Sequence, residues 1–125
     1  MQSLSEKLNI LVVEDNLMDF ALIQKMLLSS NLNISNLYSA DMISKSKKIL
    51  KEHEINLVLL DLSLNDSTGL DSFLQIKQVT QKVPVIILTG LSDSNVAFDA
   101  LKQGAQDYLV KSEFNTSILV KSIQY

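Results

Sequence analysis

The sequence predicts an α/β domain with a parallel sheet, and three observations carry that prediction. Short apolar runs alternate five times with stretches of helical period. Two of the runs, Leu57–Leu60 and Val85–Leu88, are apolar at every position, as in strands covered on both faces. Four of the runs stop abruptly at a residue able to do chemistry: Glu14-Asp15, Asp61, Thr89 and Lys111. The length of 125 residues and the hydrophobic content of 46% suit one domain with a packed core.

The elements follow in order. Leu8 to Val13 reads as the first strand. Asn16 is placed to cap a first helix, with Met18, Leu22, Ile23, Met26 and Leu27 as its apolar face. Asn31 to Asn33 ends it, and Ile34 to Tyr38 forms a second, weaker strand. Asp41 is placed to cap a second helix running to about Lys51, whose serines and lysines leave it a thin apolar face. Leu57 to Leu60 is the third strand. The loop Ser63 to Thr68 follows, and Gly69 or Leu70 opens a third helix with Phe73, Leu74 and Ile76. Pro84 starts the fourth strand, where a missing N–H is tolerated. Val96, Ala97, Ala100 and Leu101 face inward from a fourth helix, and Gly104 suits the position just past its end. Asp107 to Val110 is the fifth strand, and Asn115 caps a last helix still running at Tyr125.

Right-handed crossovers leave few topologies for such a chain. The expected one is a single doubly wound, flavodoxin-like (βα)5 domain with a parallel five-stranded sheet in the order 2-1-3-4-5. Its crevice opens at the carboxyl ends of the strands, where the order reverses. Glu14, Asp15 and Asp61 then share that crevice, flanked by Thr89 and Lys111.

Charge decides what such a crevice needs. Two carboxylates about 4 Å apart repel by about 4 kcal/mol at an effective dielectric near 20. Three cannot all stay ionised without compensation, and Lys111 brings one positive charge. A divalent cation completes the balance, and hard oxygen donors favour Mg²⁺. Asp15 and Asp61 are the expected direct ligands, with Glu14 acting through water and a backbone carbonyl just past Asp61, that of Ser63. With the cation in place the groups suit phosphoryl transfer. Asp61 serves as nucleophile, and Lys111 and the Thr89 hydroxyl meet phosphoryl oxygens. No strong general base stands beside them, so the phosphorylated state should persist, as in a switch.

The rest of the composition narrows the class. There is no cysteine, which excludes disulfides and thiolate metal sites and fits a reducing, cytoplasmic setting. No apolar stretch reaches the length of a membrane span, and the first residues lack the pattern of a signal peptide. The net charge is −3 and every basic residue is lysine, so direct nucleic-acid binding by this segment is not expected.

The motifs Ile10-Leu11-Val12-Val13-Glu14-Asp15, Leu59-Leu60-Asp61 with Gly69 beyond, Ile87-Leu88-Thr89-Gly90 and Gly104 through Lys111 together resemble the response-regulator receiver domain of two-component signalling. The resemblance covers nearly the whole chain. It implies Asp61 as phosphoacceptor, a phosphohistidine donor on a histidine kinase or phosphotransfer domain, and Mg²⁺ beside Glu14 and Asp15. It implies that Thr89 and Tyr108 act as switch residues, and that the surface of the fourth helix, fifth strand and fifth helix is remodelled to control an output module in cis or in trans. A homodimer through that same surface is a further expectation. Such a domain is a regulatory phosphoacceptor rather than an enzyme, although it assists its own phosphorylation and slow dephosphorylation. The positions that tune dephosphorylation in the family are Ser63 and Leu91 here. The chain departs from the family at Asn65 and Ser112, where proline is common. The Ser112 departure leaves open whether the Lys111–Ser112 peptide bond is cis. The ending Leu119–Tyr125 resembles receivers that continue into further domains, so residues 1–125 are expected to be the excised receiver of a larger regulator.

Taken singly, these residues have plainer readings. An acid at a strand end is usually a turn residue, threonine a strand former and lysine a surface charge. Their joint placement favours a functional site. His53 is read as a solvated loop residue, Asp66 and Asp71 as loop and cap acids, and Asp93 as part of the loop before the fourth helix. A haloacid-dehalogenase-type phosphatase needs a second Asp where Ser63 stands. A dinucleotide-binding domain needs a glycine-rich turn where Glu14-Asp15-Asn16 stands. The remaining rival is a receiver-like interaction module that takes no phosphate.

Overall fold

Five strands and five helices alternate through the computed structural model, which describes residues 7–90 and 93–124. They are β1 (Leu8–Val13), α1 (Leu17–Ser29), β2 (Ile34–Ala40), α2 (Ile43–Glu52), β3 (Leu57–Asp61), α3 (Leu70–Val79), β4 (Val85–Thr89), α4 (Ser94–Lys102), β5 (Asp107–Val110) and α5 (Thr116–Gln124). All pairings are parallel, and the order is β2-β1-β3-β4-β5. The expected doubly wound topology is therefore the observed one.

Alternation of side chains along each strand divides the core in two. Leu11, Val13, Val58, Leu60, Val85 and Ile87 pack with Ile43 of α2, Phe73 and Ile76 of α3, and Ala97 and Ala100 of α4. Ile10, Val12, Leu59, Ile86 and Leu88 face the other way, onto Ile23 and Leu27 of α1 and Leu119 and Ile123 of α5. Every residue of β3 and β4 is buried, which is why these runs read as uninterrupted apolar sequence. Each fully buried Leu, Ile or Phe contributes roughly 1.5–3 kcal/mol of transfer free energy, so the central strands hold the sheet together.

The helix ends follow from local chemistry, with corrections. Asn16 caps α1 as expected, its side-chain oxygen accepting from Asp19 N at 2.9 Å. The expected apolar face of α1 is partly wrong: Met18 is 83% and Leu22 49% exposed, while Ile23 and Leu27 are buried. Nor does Asp41 cap α2; it pairs with Lys45 at 3.0 Å, and the cap position is Met42, which offers no side-chain acceptor. The carboxylate of Asp66 does that work from the loop after β3, accepting from Ile43 N at 2.8 Å and Ser44 N at 3.1 Å. Those hydrogen bonds, led by the one from Ile43, hold the Asp66 carboxyl below its ordinary value. β2 runs on to Ala40, two residues past the expected end. Of the apolar residues of α3 named above, Phe73 and Ile76 are buried and Leu74 is 37% exposed. Gly104 follows α4 with φ of +112°, a conformation that disfavours any side chain. Asn115 accepts from Ile118 N at 3.0 Å at the start of α5.

Candidate functional site

Register brings the polar strand ends together. Val13 is paired with Leu60, so Glu14 and Asp61 leave adjacent strands side by side. Asp61 is paired with Leu88 and Thr89 with Val110, which puts Thr89 and Lys111 at the same edge of the sheet. Lys111 N donates to Thr89 O at 2.8 Å, so backbone pairing itself carries Lys111 to the crevice.

Glu14, Asp15 and Asp61 offer ligand oxygens that all lie within 4.8 Å of one another. Lys111 answers them with one ammonium. Its Nζ lies 2.7 Å from Glu14 Oε1, 3.0 Å from Asp61 Oδ2 and 3.0 Å from Asp19 Oδ2. The contact with Glu14 is an ion pair off hydrogen-bond alignment, whereas Asp61 and Asp19 each accept a hydrogen bond. The other oxygens are held by backbone amides: Asp61 Oδ1 accepts from Ser63 N at 3.0 Å, and Glu14 Oε2 accepts from Asn16 N at 3.2 Å.

The balance of charge is uneven. Burial and the neighbouring Asp61 carboxylate push Glu14 up to about 7, against the pull of Lys111. Burial works against the Lys111 charge, yet its contacts with Glu14, Asp19 and Asp61 outweigh that and hold the ammonium above its ordinary value. One lysine among four carboxylates leaves the crevice short of positive charge. Three hard oxygen donors within 4.8 Å are a set a divalent cation fits.

Thr89 is 1% exposed, and its Oγ1 donates to the adjacent Gly90 carbonyl at 3.1 Å. Tyr108 is half-buried on β5 and packs against the core cluster of α2, α3 and α4. Ser63 touches Asp61 through its amide. Leu91 lies outside the described residues. No cis peptide bond occurs among the described residues, so Lys111–Ser112 is trans. His53 stands apart from the crevice, exposed as expected and stacked on Tyr38 with ring centroids 4.6 Å apart. The residue the sequence reading missed is Asp19. Its signal was available: an acid in the first turn of a helix that opens directly after the acidic pair.

No helix among the described residues is long and apolar enough to cross a membrane. Comparison with known proteins agrees with the architecture. The family described as the response regulator receiver domain matches residues 10–124. The transcriptional regulatory protein ZraR of Salmonella typhimurium is 32% identical over 106 residues, covering 84% of this chain and 23% of that protein. The cell cycle transcriptional regulator CtrA of Caulobacter vibrioides is 29% identical over 104 residues, 83% of this chain and 44% of that protein. The chain thus spans under half the length of either relative. Among solved structures, the N-terminal signal receiver domain of a Bacteroides fragilis response regulator superposes with a TM-score of 0.84 at 25% identity, covering 96% of this chain and 95% of that one. The receiver domain of the sensor histidine kinase PA1611 of Pseudomonas aeruginosa, solved with a magnesium ion in its active site cleft, gives 0.79 at 25% identity, over 95% and 96% of the two chains. By its matched length, its sheet order and these likenesses, the chain belongs to the response-regulator receiver domains of two-component systems.

Proposed function

We propose that Asp61 accepts a phosphoryl group from the phosphohistidine of a sensor kinase or phosphotransfer protein. The observation that carries this reading is the crevice itself: three carboxylates within 4.8 Å, with Asp61 bonded to the Lys111 ammonium. A carboxylate oxygen of Asp61 forms the new O–P bond as the P–N bond to the donor imidazole breaks, its electron pair returning to the ring. Asp15 and Asp61, with Glu14 through water and the Ser63 carbonyl, would hold Mg²⁺. When bound, the ion supplies positive charge opposite the phosphoryl oxygens. Lys111 supplies the same from the protein side, and Thr89 has its hydroxyl at the crevice edge to donate to one oxygen. Ser63 and Leu91 tune how long the group stays.

In this reading Thr89 and Tyr108 rearrange once the phosphoryl group arrives, and the α4-β5-α5 face changes shape for an output module or a second copy of the chain. A local charge event then biases a two-state surface. In the same reading this receiver is one part of a longer cytoplasmic regulator, as its match to only 23% of ZraR supports. The test is direct. With Mg²⁺ and acetyl phosphate, the intact mass rises by one phosphoryl group, and Asp61→Ala abolishes the gain. A folded wild-type protein that gains no mass, and shows no spectral change with beryllofluoride, would leave an interaction module that takes no phosphate.

A further inference from the structure

Lys111 has three anionic partners, and they are not equivalent. Glu14 and Asp61 belong to the carboxylate trio, whose oxygens a cation would take. Asp19 lies outside that trio, on the first turn of α1, yet its Oδ2 is 3.0 Å from Lys111 Nζ. The contact spans 92 positions of sequence, so it joins α1 to the end of β5. It is built by local chemistry. Asn16 caps α1 immediately after β1 and accepts from Asp19 N, which fixes the phase of the first turn and aims the Asp19 side chain at the crevice. Asp19 is 40% exposed at its side chain and Lys111 only 24%.

We propose that Asp19 is a positioning residue for phosphoryl acceptance at Asp61, anchoring the Lys111 ammonium when Glu14 and Asp61 are engaged elsewhere. The proposal rests on the reading of Asp61 as phosphoacceptor. Once Asp61 Oδ2 bonds phosphorus or a cation, it is a weaker acceptor for Lys111. Asp19 then remains as the fixed acceptor that keeps one N–H of the ammonium occupied and the others turned to the phosphoryl oxygens. Asp19 touches neither donor nor cation trio, and acts only through Lys111. A plainer role, favourable charge at a helix N-terminus, predicts a different outcome because it depends on charge alone.

The variants separate the two. Asp19→Asn keeps an acceptor oxygen and loses the charge; Asp19→Ala loses both. Each removes the same charge from the crevice, so a difference between them reports the acceptor. With Mg²⁺ and acetyl phosphate, the new Asp61 O–P bond forms as the P–O bond to acetate breaks, and acetate leaves with the electron pair. The rate of mass gain should be about tenfold lower in Asp19→Ala than in Asp19→Asn, as for loss of one hydrogen bond to a charged group. Equal rates in the two variants, whether both slow or both fast, overturn the proposal. Should Asp19→Ala not fold, Asp19→Leu matches the shape of Asn without an acceptor, and the same comparison decides. A wild-type protein that gains no mass overturns the acceptor reading and this proposal with it. A wild type that gains mass, with Asn and Ala variants alike, overturns this proposal alone.

Discussion

Burial at Glu14 works against the charge that the crevice would use to bind a cation. Its carboxyl is raised to about 7, so without Mg²⁺ the folded state holds this proton more tightly than the unfolded chain. The sign follows. The contribution to stability is fully present below the unfolded value of 4.5 and is lost as pH rises through about 7. Glu14→Gln in Mg²⁺-free buffer at pH 8 is therefore expected to raise stability by roughly 1–3 kcal/mol and to flatten the pH dependence between those values. Urea unfolding at several pH values checks this, and a variant less stable than wild type at pH 8 refutes it. The same variant should bind Mg²⁺ more weakly by calorimetry. At this scale the sequence was a good guide to the position of residues that close an apolar run, though not to their exposure, since Glu14, Asp61 and Thr89 are buried. Glu14, Asp15, Asp61, Thr89 and Lys111 are all of that kind. Asp19 was not legible that way, since its place depends on the phase of a helix and on a partner 92 positions away.

At the scale of elements, α2 depends on a loop it does not adjoin in sequence. Its cap position is Met42, and Asp66 supplies the missing acceptor. Asp66→Ala is expected to cost about 1 kcal/mol, the usual worth of a cap, and to speed amide exchange at Ile43 and Ser44. Hydrogen exchange by NMR measures both amides; unchanged rates would show that solvent caps the helix equally well. The Asp66 carboxyl lies below its ordinary 3.8, so this stabilisation is present above that value and fades as pH falls through the lower folded one. Asp66→Asn should lack that acid-side loss. Gly69, which opens α3 at φ of +69° and ψ of −153°, is a second dependence. A Cβ there meets nothing within 4 Å, so Gly69→Ala is expected to cost about 1–3 kcal/mol from backbone conformation alone. Thermal unfolding would show it, with no repacking visible in the core. The helix errors in the sequence reading have a physical origin. α1 is apolar almost all round, so periodicity alone does not choose between Met18 and Ile23 as the inward residue. Asp41 looked like a cap because it stands before the helix, and nothing local announces an acceptor from 23 residues further on.

The whole molecule was the most legible level, because sheet order follows from alternation, crossover handedness and the place where acids collect. A parallel sheet covered on both faces also makes the fold one cooperative unit. Phe73, fully buried between α3 and the sheet, is expected to cost about 3–5 kcal/mol as Phe73→Ala. That loss should appear as a single shifted urea transition in far-ultraviolet circular dichroism; two separate transitions would show that the two faces unfold independently.

Synthesis from the N-terminus sets the order in which the crevice residues appear. A chain leaving the ribosome has made Glu14, Asp15 and Asp61 once β3 is complete, some fifty residues before Lys111. Were β1 and β3 to pair before β5 docks against β4, Glu14, Asp15 and Asp61 would converge with no lysine to offset them, and the crevice would be a source of repulsion. The ammonium arrives only with the last strand, held there by the backbone bond from Lys111 N to Thr89 O. A truncated or half-synthesised receiver therefore carries the acids without the means to neutralise them. On the proposed reading of Asp61 as acceptor, such a chain would have no finished crevice for phosphoryl transfer until the sheet has closed.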